Sequence, residues 1–328
     1  MTILVTGSAG FIGSNLSKRL EQNLRTKLIL TDNFSRGKQS YLDYLGVKTH
    51  CEELDLLDYD SAKIITKNVD VVYHTACRIG GMQFLHGSPE AELRALQENM
   101  TIDTNVFRAC IENKVKKIIY TSSISVYNTK QQYDLDLANK PFKEDDLEND
   151  QVDPESGYGW GKFLAEKQLS YMSAMGMQVG IARIFKSYGP CDDYSEQSGQ
   201  VVCSLFRKAL TQDKLVVWGT GGAKRCLLYI DDLIDGLIRL ERFNGSLTVN
   251  LGAKEPTSMR ALAEEIVKIA GKQMPIVYDI AKPEGPLSRI PDLTRAKKVF
   301  GWEPITPLTD GLKKTYIWMR REQLEGRI

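Results

Sequence analysis

The sequence has few of the residues that build metal centres, and it lacks both long apolar runs and a charge excess. Its 328 residues include 3 histidines and 6 cysteines, with no Cys-x-x-Cys pair, so no metal site is expected. Lysine and arginine number 43 against 42 aspartates and glutamates, which argues against a broad nucleic-acid-binding face. No stretch approaches about 18 continuous apolar residues, so no membrane-spanning helix is expected.

Other absences bear on targeting and domain organisation. The sequence contains no internal repeat and no low-complexity segment, and its length suits one large domain or two smaller ones. It runs from Met1 directly to a glycine motif at Gly7, which leaves no room for a signal peptide. Scattered cysteines of this kind are typical of reduced thiols, so a cytoplasmic protein is expected.

The first third of the chain alternates short apolar runs with segments of helical spacing. The runs that predict strands are 2–6, 27–31, 69–74 and 117–122. Segments 11–24 and 89–113 have the spacing of helices. Strands separated by helices predict an α/β fold with a parallel sheet covered on both faces. The acidic, polar stretch 130–153 is interpreted as a surface loop.

The character of the sequence changes after about residue 183. Segments rich in glycine, proline, aspartate and serine alternate there with shorter predicted helices. The loop segments are 188–199, 219–224 and 282–292, and the helices are 259–270 and 308–323. We predict a first domain over 1–182, to which 226–252 returns, and a smaller loop-rich C-terminal lobe over 183–328.

The clearest motif is Gly7-Ser8-Ala9-Gly10-Phe11-Ile12-Gly13, which follows a predicted strand and opens a predicted helix. In such a motif Gly7 makes a tight turn, Gly10 lets the backbone approach a pyrophosphate, and Gly13 allows close helix–strand packing. Free N–H groups at the helix start, including those of Phe11 and Ile12, favour a bound phosphate. The motif predicts a dinucleotide bound by a Rossmann-type, doubly wound parallel sheet.

An acid follows at the place where a dinucleotide site needs one. Asp32 lies at the end of the second predicted strand, 19 residues beyond Gly13. A carboxylate there binds the ribose hydroxyls and repels a 2′-phosphate, which favours NAD over NADP. Arg36 leaves some tolerance of NADP open. The alternative interpretation is a tight turn followed by a surface aspartate.

A tyrosine and a lysine lie four residues apart in Tyr158-Gly-Trp-Gly-Lys162, and on a helix they share one face. A free phenol has a pKa of about 10, and an ammonium about 4 Å away brings it near neutrality, where it can act as a base. Ser123 follows the strand 117–122, at the sheet edge where ligands bind. We predict Ser123, Tyr158 and Lys162 as the catalytic residues.

Taken together, these motifs resemble those of the extended short-chain dehydrogenase/reductase family, whose members act on nucleotide-activated sugars. The resemblance covers nearly the whole chain. The further motifs that carry it are Asp55-Leu56, His74-Thr75-Ala76, Asn99, Ser122-Ser123-Ile124-Ser125-Val126-Tyr127, Arg183 with Tyr188-Gly189-Pro190, Arg225-x-x-x-Tyr229-Ile230-Asp231-Asp232, and Arg289 with Asp292. It implies that NAD is bound by the glycine loop, Asp32, Asp55, Leu56, Ala76, Tyr158 and Lys162.

The same resemblance implies a nucleotide-diphosphate sugar as substrate and a homodimer as the assembly. Arg225 and Arg289 are implied to contact the diphosphate, and planar guanidinium groups bind phosphate through two donors at once. The dimer interface is implied to form from the helices near Asn99 and Tyr158. The helix 308–323 is a further candidate, although an apolar helix face can also be core.

Within the family the chain is most similar to the GDP-mannose 3,5-epimerases. Residues 80–85 are similar to a loop beside the sugar in those enzymes, which assigns Gly81 and Met82 to the sugar together with Ser123 and Ser125. Their acid/base cysteine is replaced here by Ser125, and their lysine falls at Ser195. Serine with no base beside it is a poor proton acceptor, so 3,5-epimerisation is expected only if a different acid/base pair serves it.

The acid pair of the 4,6-dehydratases is absent, because its positions are Ile124 and Ser125 here. What remains is oxidation at C4 of the sugar by NAD, in a 4-epimerase or a 4-oxidoreductase, and the sequence does not decide between them. Lys186 stands where the family usually has asparagine. It can neutralise the diphosphate, carry a proton, or be a simple surface or salt-bridged lysine. A non-catalytic dinucleotide-binding sensor is the alternative of another class.

Overall fold

The computed structural model describes residues 1–23, 26–81, 87–134, 137, 139–149, 152–282, 285–286 and 288–328. Its largest sheet contains β1 (Thr2–Thr6), β2 (Lys27–Asp32), β3 (Cys51–Glu53), β4 (Val71–His74), β5 (Lys117–Ser123), β6 (Gln178–Ile184) and β11 (Leu247–Leu251). These strands are all parallel, in the order β11-β6-β5-β4-β1-β2-β3. The order places the ends of β1, β4 and β5 side by side.

Alternating side chains bury both faces of this sheet. In β1, Ile3 and Val5 belong to one hydrophobic core and Leu4 to a second, and all three are at most 2% exposed. In β5, Ile119 joins the first core and Ile118 the second. Helices complete both cores, so the predicted α/β fold with a doubly wound parallel sheet is confirmed.

The helices of the first half are Phe11–Glu21, Gln39–Leu45, Tyr59–Ile65, Pro89–Glu112, Thr129–Tyr133, Asp146–Asn149 and Ser156–Ala174. Those that follow are Val201–Thr211, Ile230–Arg242, Met259–Ile269, Thr294–Phe300 and Leu308–Leu324. The first helix ends at Glu21, three residues earlier than predicted, and Leu24 lies outside the described residues. None of the described helices has the length and apolarity that crossing a membrane requires.

The later part of the chain contributes three small sheets to the described structure. Their strands are β7 (Ser187–Tyr188), β8 (Leu215–Trp218), β9 (Lys224–Cys226), β10 (Leu228–Tyr229), β12 (Pro256–Ser258) and β13 (Ile276–Asp279). They pair as β7 with β10, β8 with β13 and β9 with β12. Between them the chain returns to the large sheet as β11, which lies beside β6. The division into a domain over 1–182 and a lobe over 183–328 stays a prediction.

The stretch 130–153 is not the simple surface loop that its polarity predicts. It includes helix Asp146–Asn149, and it buries Phe142 to 1% exposure. The Phe142 ring packs against Tyr127 and Phe185 at centroid distances of 5.1 and 6.2 Å. Its N–H also donates to the Ile290 carbonyl at 2.8 Å. A few apolar residues scattered among polar ones produce no periodicity, so the sequence did not reveal this packing.

Candidate active site

The glycine motif forms a turn at the end of β1 that has no room for side chains at two positions. Gly7 has a φ of +66°, in the left-handed region, and a Cβ there would lie 2.7 Å from the backbone of Ala76. A Cβ on Gly13 would lie 2.1 Å from the Gly7 carbonyl oxygen. These contacts hold the turn against β4 and hold the first helix against the turn.

The start of helix Phe11–Glu21 is built to receive an anion. Gly10 precedes it without a capping side chain, and its first turn, which includes Ile12, carries no acidic residue. The N–H groups of this turn and the helix dipole therefore face no charge from the helix itself. The residues present fit the pyrophosphate of a dinucleotide.

Asp32 ends β2 next to this turn, where its carboxylate is 8% exposed. Its Oδ2 accepts a hydrogen bond from the Ala9 N–H at 3.0 Å, and its Oδ1 accepts one from the Phe34 N–H at 2.8 Å. Burial raises the pKa of Asp32, and these backbone hydrogen bonds oppose the rise. Arg36 forms an ion pair with Asp193, so the cation that could receive a 2′-phosphate already has a carboxylate partner.

Asp32→Ala is expected to weaken NAD binding at least tenfold and to reduce the preference for NAD over NADP. A hydrogen bond to a charged group contributes about 1.5–3 kcal/mol, and about 1.4 kcal/mol corresponds to a factor of ten. Titration of both dinucleotides, followed by protein fluorescence, measures the two dissociation constants. Asp60→Ala, at an exposed carboxylate, is the matched control. An unchanged NAD/NADP ratio in Asp32→Ala would contradict the ribose assignment.

The other predicted NAD contacts follow the ends of β3 and β4. Asp55 is exposed and accepts from the Leu57 N–H at 3.0 Å, whereas the Leu56 side chain is 5% exposed. The Leu56 carbonyl accepts from Asn105 at 3.0 Å, which fixes this turn on helix Pro89–Glu112. Ala76 lies against Gly7. All of these residues lie at the carboxyl edge of the sheet, and their contacts with NAD stay predictions.

Ser123, Tyr158 and Lys162 come together at the same edge. Ser123 is the last residue of β5, and Tyr158 and Lys162 lie one turn apart in helix Ser156–Ala174. The Ser123 side chain is close enough to Tyr158 to lower the pKa of the phenol. The Lys162 Nζ lies 5.9 Å from the centroid of the Tyr158 ring and donates to the Thr121 carbonyl at 2.9 Å. The structure therefore brings together the three residues predicted to be catalytic.

The electrostatics of the phenol differ from the simple prediction. Burial raises the pKa of Tyr158 well above that of a free phenol, with a further rise from Cys77 and a partial lowering by the Ser123 side chain. The prediction from sequence considered only an ammonium about 4 Å from the phenol. It left out the loss of water around the buried ring, which raises the pKa of Tyr158. Lys162 is 1% exposed, and the Thr121 carbonyl is its one hydrogen-bond acceptor among the described residues. This buried ammonium retains donors that a dinucleotide ribose can occupy, which also fits NAD.

Ser125 has a carboxylate beside it, which the sequence analysis did not expect. Its Oγ donates to Oε2 of Glu155 at 3.3 Å. Glu155 also accepts from the Tyr133 hydroxyl at 2.6 Å and pairs with Arg289. Glu155 was missed because glutamate three residues before a tyrosine has no pattern of its own. Its proximity to Ser125 arises only when helix Ser156–Ala174 packs beside the end of β5.

The two predicted diphosphate ligands lie near one another. Arg225 donates to the Pro286 carbonyl at 2.7 Å, and both Arg225 and Arg289 act electrostatically on Lys186. The Nε of Arg289 is buried and has no hydrogen-bond partner among the described residues. A buried donor without a partner is costly, so it indicates a place for an acceptor such as a phosphate oxygen.

The predicted sugar loop is described only at its start. Gly81 donates its N–H to the Ser198 carbonyl at 2.8 Å, and Met82 lies outside the described residues. Ser195, the position of the family's lysine, is exposed, and its hydroxyl contacts that of Ser198 at 2.7 Å. Lys186 is partly buried and donates to Gln200, so it is not a simple surface lysine.

A buried ion pair that the sequence did not predict lies beneath Ser123. Glu166 pairs with Arg183 at 2.7 Å, and their side chains are 8% and 7% exposed. Glu166 also accepts from the Ser122 hydroxyl. The sequence signal for this pair was weak, since Glu166 only follows Lys162 by four residues on the helix that carries Tyr158. This pair joins β5, β6 and that helix directly behind the catalytic serine.

Comparisons with known proteins agree with this site. Residues 3–252 match the family described as "NAD dependent epimerase/dehydratase family". GDP-mannose 3,5-epimerase 1 of Oryza sativa subsp. indica is 30% identical over 327 residues, which cover 99% of this chain and 83% of that protein. UDP-glucuronic acid decarboxylase 1 of Xenopus tropicalis is 30% identical over 323 residues, covering 98% and 72%.

Solved structures with the same fold include two 4-epimerases. The UDP-glucose 4-epimerase of Thermotoga maritima with UDP-glucose has a TM-score of 0.84 at 25% identity, covering 98% of this chain and 100% of that one. The UDP-glucuronic acid 4-epimerase of Bacillus cereus, in complex with UDP-glucuronic acid and NAD, has a TM-score of 0.84 at 26% identity, covering 98% and 99%. The chain therefore belongs to the NAD dependent epimerase/dehydratase family and is an NAD-dependent enzyme.

Proposed function

We propose that the enzyme oxidises C4 of a nucleotide-diphosphate sugar, as a 4-epimerase or a 4-oxidoreductase. The observation that carries the proposal is that Ser123, Tyr158 and the buried Lys162 come together at one edge of the sheet, with the Lys162 Nζ 5.9 Å from the centroid of the Tyr158 ring. The glycine loop and Asp32 open onto the same sheet edge. The 4-epimerase neighbours, one with a nucleotide sugar and the other with a nucleotide sugar and NAD, support the substrate class.

Each residue of the chain has a distinct task in this proposal. Ser123 holds the C4 hydroxyl of the sugar, and Tyr158 removes the proton from that oxygen. Lys162 supplies fixed positive charge beneath the ring, which favours the phenolate against the effect of burial. The glycine loop, Asp32 and Lys162 would hold NAD, which would supply a reversible hydride acceptor for the oxidation at C4. Arg225 and Arg289 hold the diphosphate, and Asp32 holds the adenosine ribose.

A panel of GDP-, UDP-, dTDP- and CDP-sugars tests the function. Reduced nicotinamide is followed by its absorbance, and the configuration of each product by NMR, with Tyr158→Phe as the inactive control. An oxidoreductase accumulates reduced cofactor with one of the sugars, whereas an epimerase yields the C4 epimer with no net reduction. An enzyme that binds NAD but changes no sugar would favour the sensor alternative instead.

We further propose a homodimer formed through helices Pro89–Glu112 and Ser156–Ala174. Both expose large apolar side chains in the isolated chain, including Leu93 at 54% and Trp160 at 38%. Exposed apolar groups of this kind favour a protein–protein contact. Sedimentation equilibrium is expected to give twice the chain mass, and a charge at Leu93 is expected to shift the protein toward the monomer.

A further inference from the structure

Lys186 lies at the sheet edge that carries the candidate site, but the proposed oxidation gives it no task. In the register of the sheet, Ser123 at the end of β5 lies opposite Ile184 at the end of β6. Lys186 follows two residues later, on the same edge as the catalytic serine. Arg225 and Arg289 both act on it electrostatically, so the ammonium lies on the side of the site assigned to the substrate.

The surroundings of Lys186 contain a buried acid that lacks a full set of partners. Asp192 is 2% exposed, and its Oδ1 accepts from the Asp193 N–H at 2.8 Å. Its Oδ2 is buried without a hydrogen-bond partner among the described residues. Lys186 donates to the side-chain oxygen of Gln200, which is a neutral group. Among the described residues it forms no direct ion pair with Asp192.

The surroundings of this pair move the pKa values of both groups toward 7. Burial lowers the pKa of Lys186; Asp192 and, to a smaller extent, Cys203 oppose this change, and Arg225 and Arg289 add to it, with a net pKa of about 8. Burial raises the pKa of Asp192 to about 7, against the opposing effect of Lys186. Groups with such pKa values exchange protons readily at physiological pH.

We propose that Lys186, supported by Asp192, is a base that removes a proton from a sugar carbon next to C4 while C4 is a ketone. This inference rests on the proposed function, because the ketone arises only from oxidation at C4. The C–H bond at C3 or C5 breaks, its electron pair enters an enolate delocalised onto the C4 oxygen, and the proton moves to the neutral Nζ. Reversal returns a proton to the carbon, and in D2O it returns a deuteron.

The site offers a reason for placing such a base on Lys186 rather than on Ser125. The Ser125 hydroxyl is a donor to Glu155, whose carboxylate already binds Tyr133 and Arg289. By contrast, Lys186 donates only to the neutral Gln200 among the described residues, and the buried Oδ2 of Asp192 has no partner there. Exchange that depends on Ser125 alone is therefore an alternative outcome of the test.

The test uses the full-length enzyme in D2O with NAD and each sugar of the panel that is changed at C4. NMR and mass spectrometry of the recovered sugar give the carbon-bound deuterium at C3 and C5, expressed per C4 oxidation event. Wild type is expected to incorporate deuterium. Lys186→Met and Lys186→Arg are both expected to lower this ratio about 100-fold, since general-base catalysis contributes roughly 10²–10⁴-fold. Asp192→Asn is expected to lower it less.

Lys186→Arg separates a base from a phosphate ligand, because arginine keeps the positive charge but does not release a proton at this pH. A wild-type ratio in Lys186→Arg would overturn the inference, and so would loss of exchange in Ser125→Ala alone. Lys214→Met, at an exposed lysine of the same lobe, is the matched control. C4 oxidation without any deuterium in wild type would refute Lys186 as a base and leave the proposed function standing. If no sugar is oxidised at C4, the proposed function fails and this inference fails with it.

Discussion

Tyr158→Phe is expected to lower kcat by about 10³-fold while NAD stays bound. The substitution removes only the hydroxyl that accepts the proton from the sugar, and general acid–base catalysis contributes roughly 10²–10⁴-fold. The phenyl ring keeps its place in the helix, where the side chain is 6% exposed, so the fold is expected to persist. Turnover of the reactive sugar and titration of NAD measure the two effects separately.

The matched control for this substitution is Tyr171→Phe, on the same helix. Tyr171 is 64% exposed, and loss of its hydroxyl is expected to leave kcat unchanged. If Tyr158→Phe retained the wild-type rate, the assignment of the base would be wrong. If Tyr158→Phe lost NAD binding together with activity, the main role of Tyr158 would be to bind the cofactor. Another residue would then have to transfer the proton.

Glu166→Ala is expected to reduce the free energy of unfolding by about 3–5 kcal/mol. The substitution leaves the Arg183 guanidinium buried without its counterion, and breaking one side of a buried ion pair typically costs that much. Arg183 would retain hydrogen bonds to the Tyr127 hydroxyl and the Glu144 carbonyl, which keep the loss within this range. Chemical denaturation followed by circular dichroism measures the change.

Glu112→Ala provides the comparison on an exposed ion pair. Glu112 pairs with Lys63 and Arg108 on the surface, and its side chain is 33% exposed. Exposed pairs typically contribute about 0–1 kcal/mol, so a small change is expected. Equal destabilisation in the two variants would mean that burial does not set the strength of the Glu166–Arg183 pair.

The parts of the site that the sequence predicted are those fixed by local geometry. Gly7, Gly10 and Gly13 form a turn between one strand and the next helix, and Tyr158 and Lys162 share a helix face by spacing alone. Asp32 and Ser123 each end a strand, and parallel strands bring their carboxyl ends to one edge. Such features need no knowledge of distant contacts.

The parts that the sequence did not reveal depend on contacts between distant segments. Glu155 meets Arg289 across 134 residues, and Arg36 meets Asp193 across 157. No periodicity marks such pairs. The high pKa of Tyr158 was missed for a related reason, because burial is a property of the packed chain and a motif shows only which residues are near in sequence.

The position of β11 has a consequence for how the protein is made. The sheet is complete only when residue 251 has left the ribosome, because β11 covers the outer edge of β6. Until then β6 presents the unpaired backbone groups of its outer edge to solvent. A nascent chain stopped near residue 182 is therefore expected to aggregate or to recruit chaperones, whereas one extended past residue 252 is expected to close its own edge.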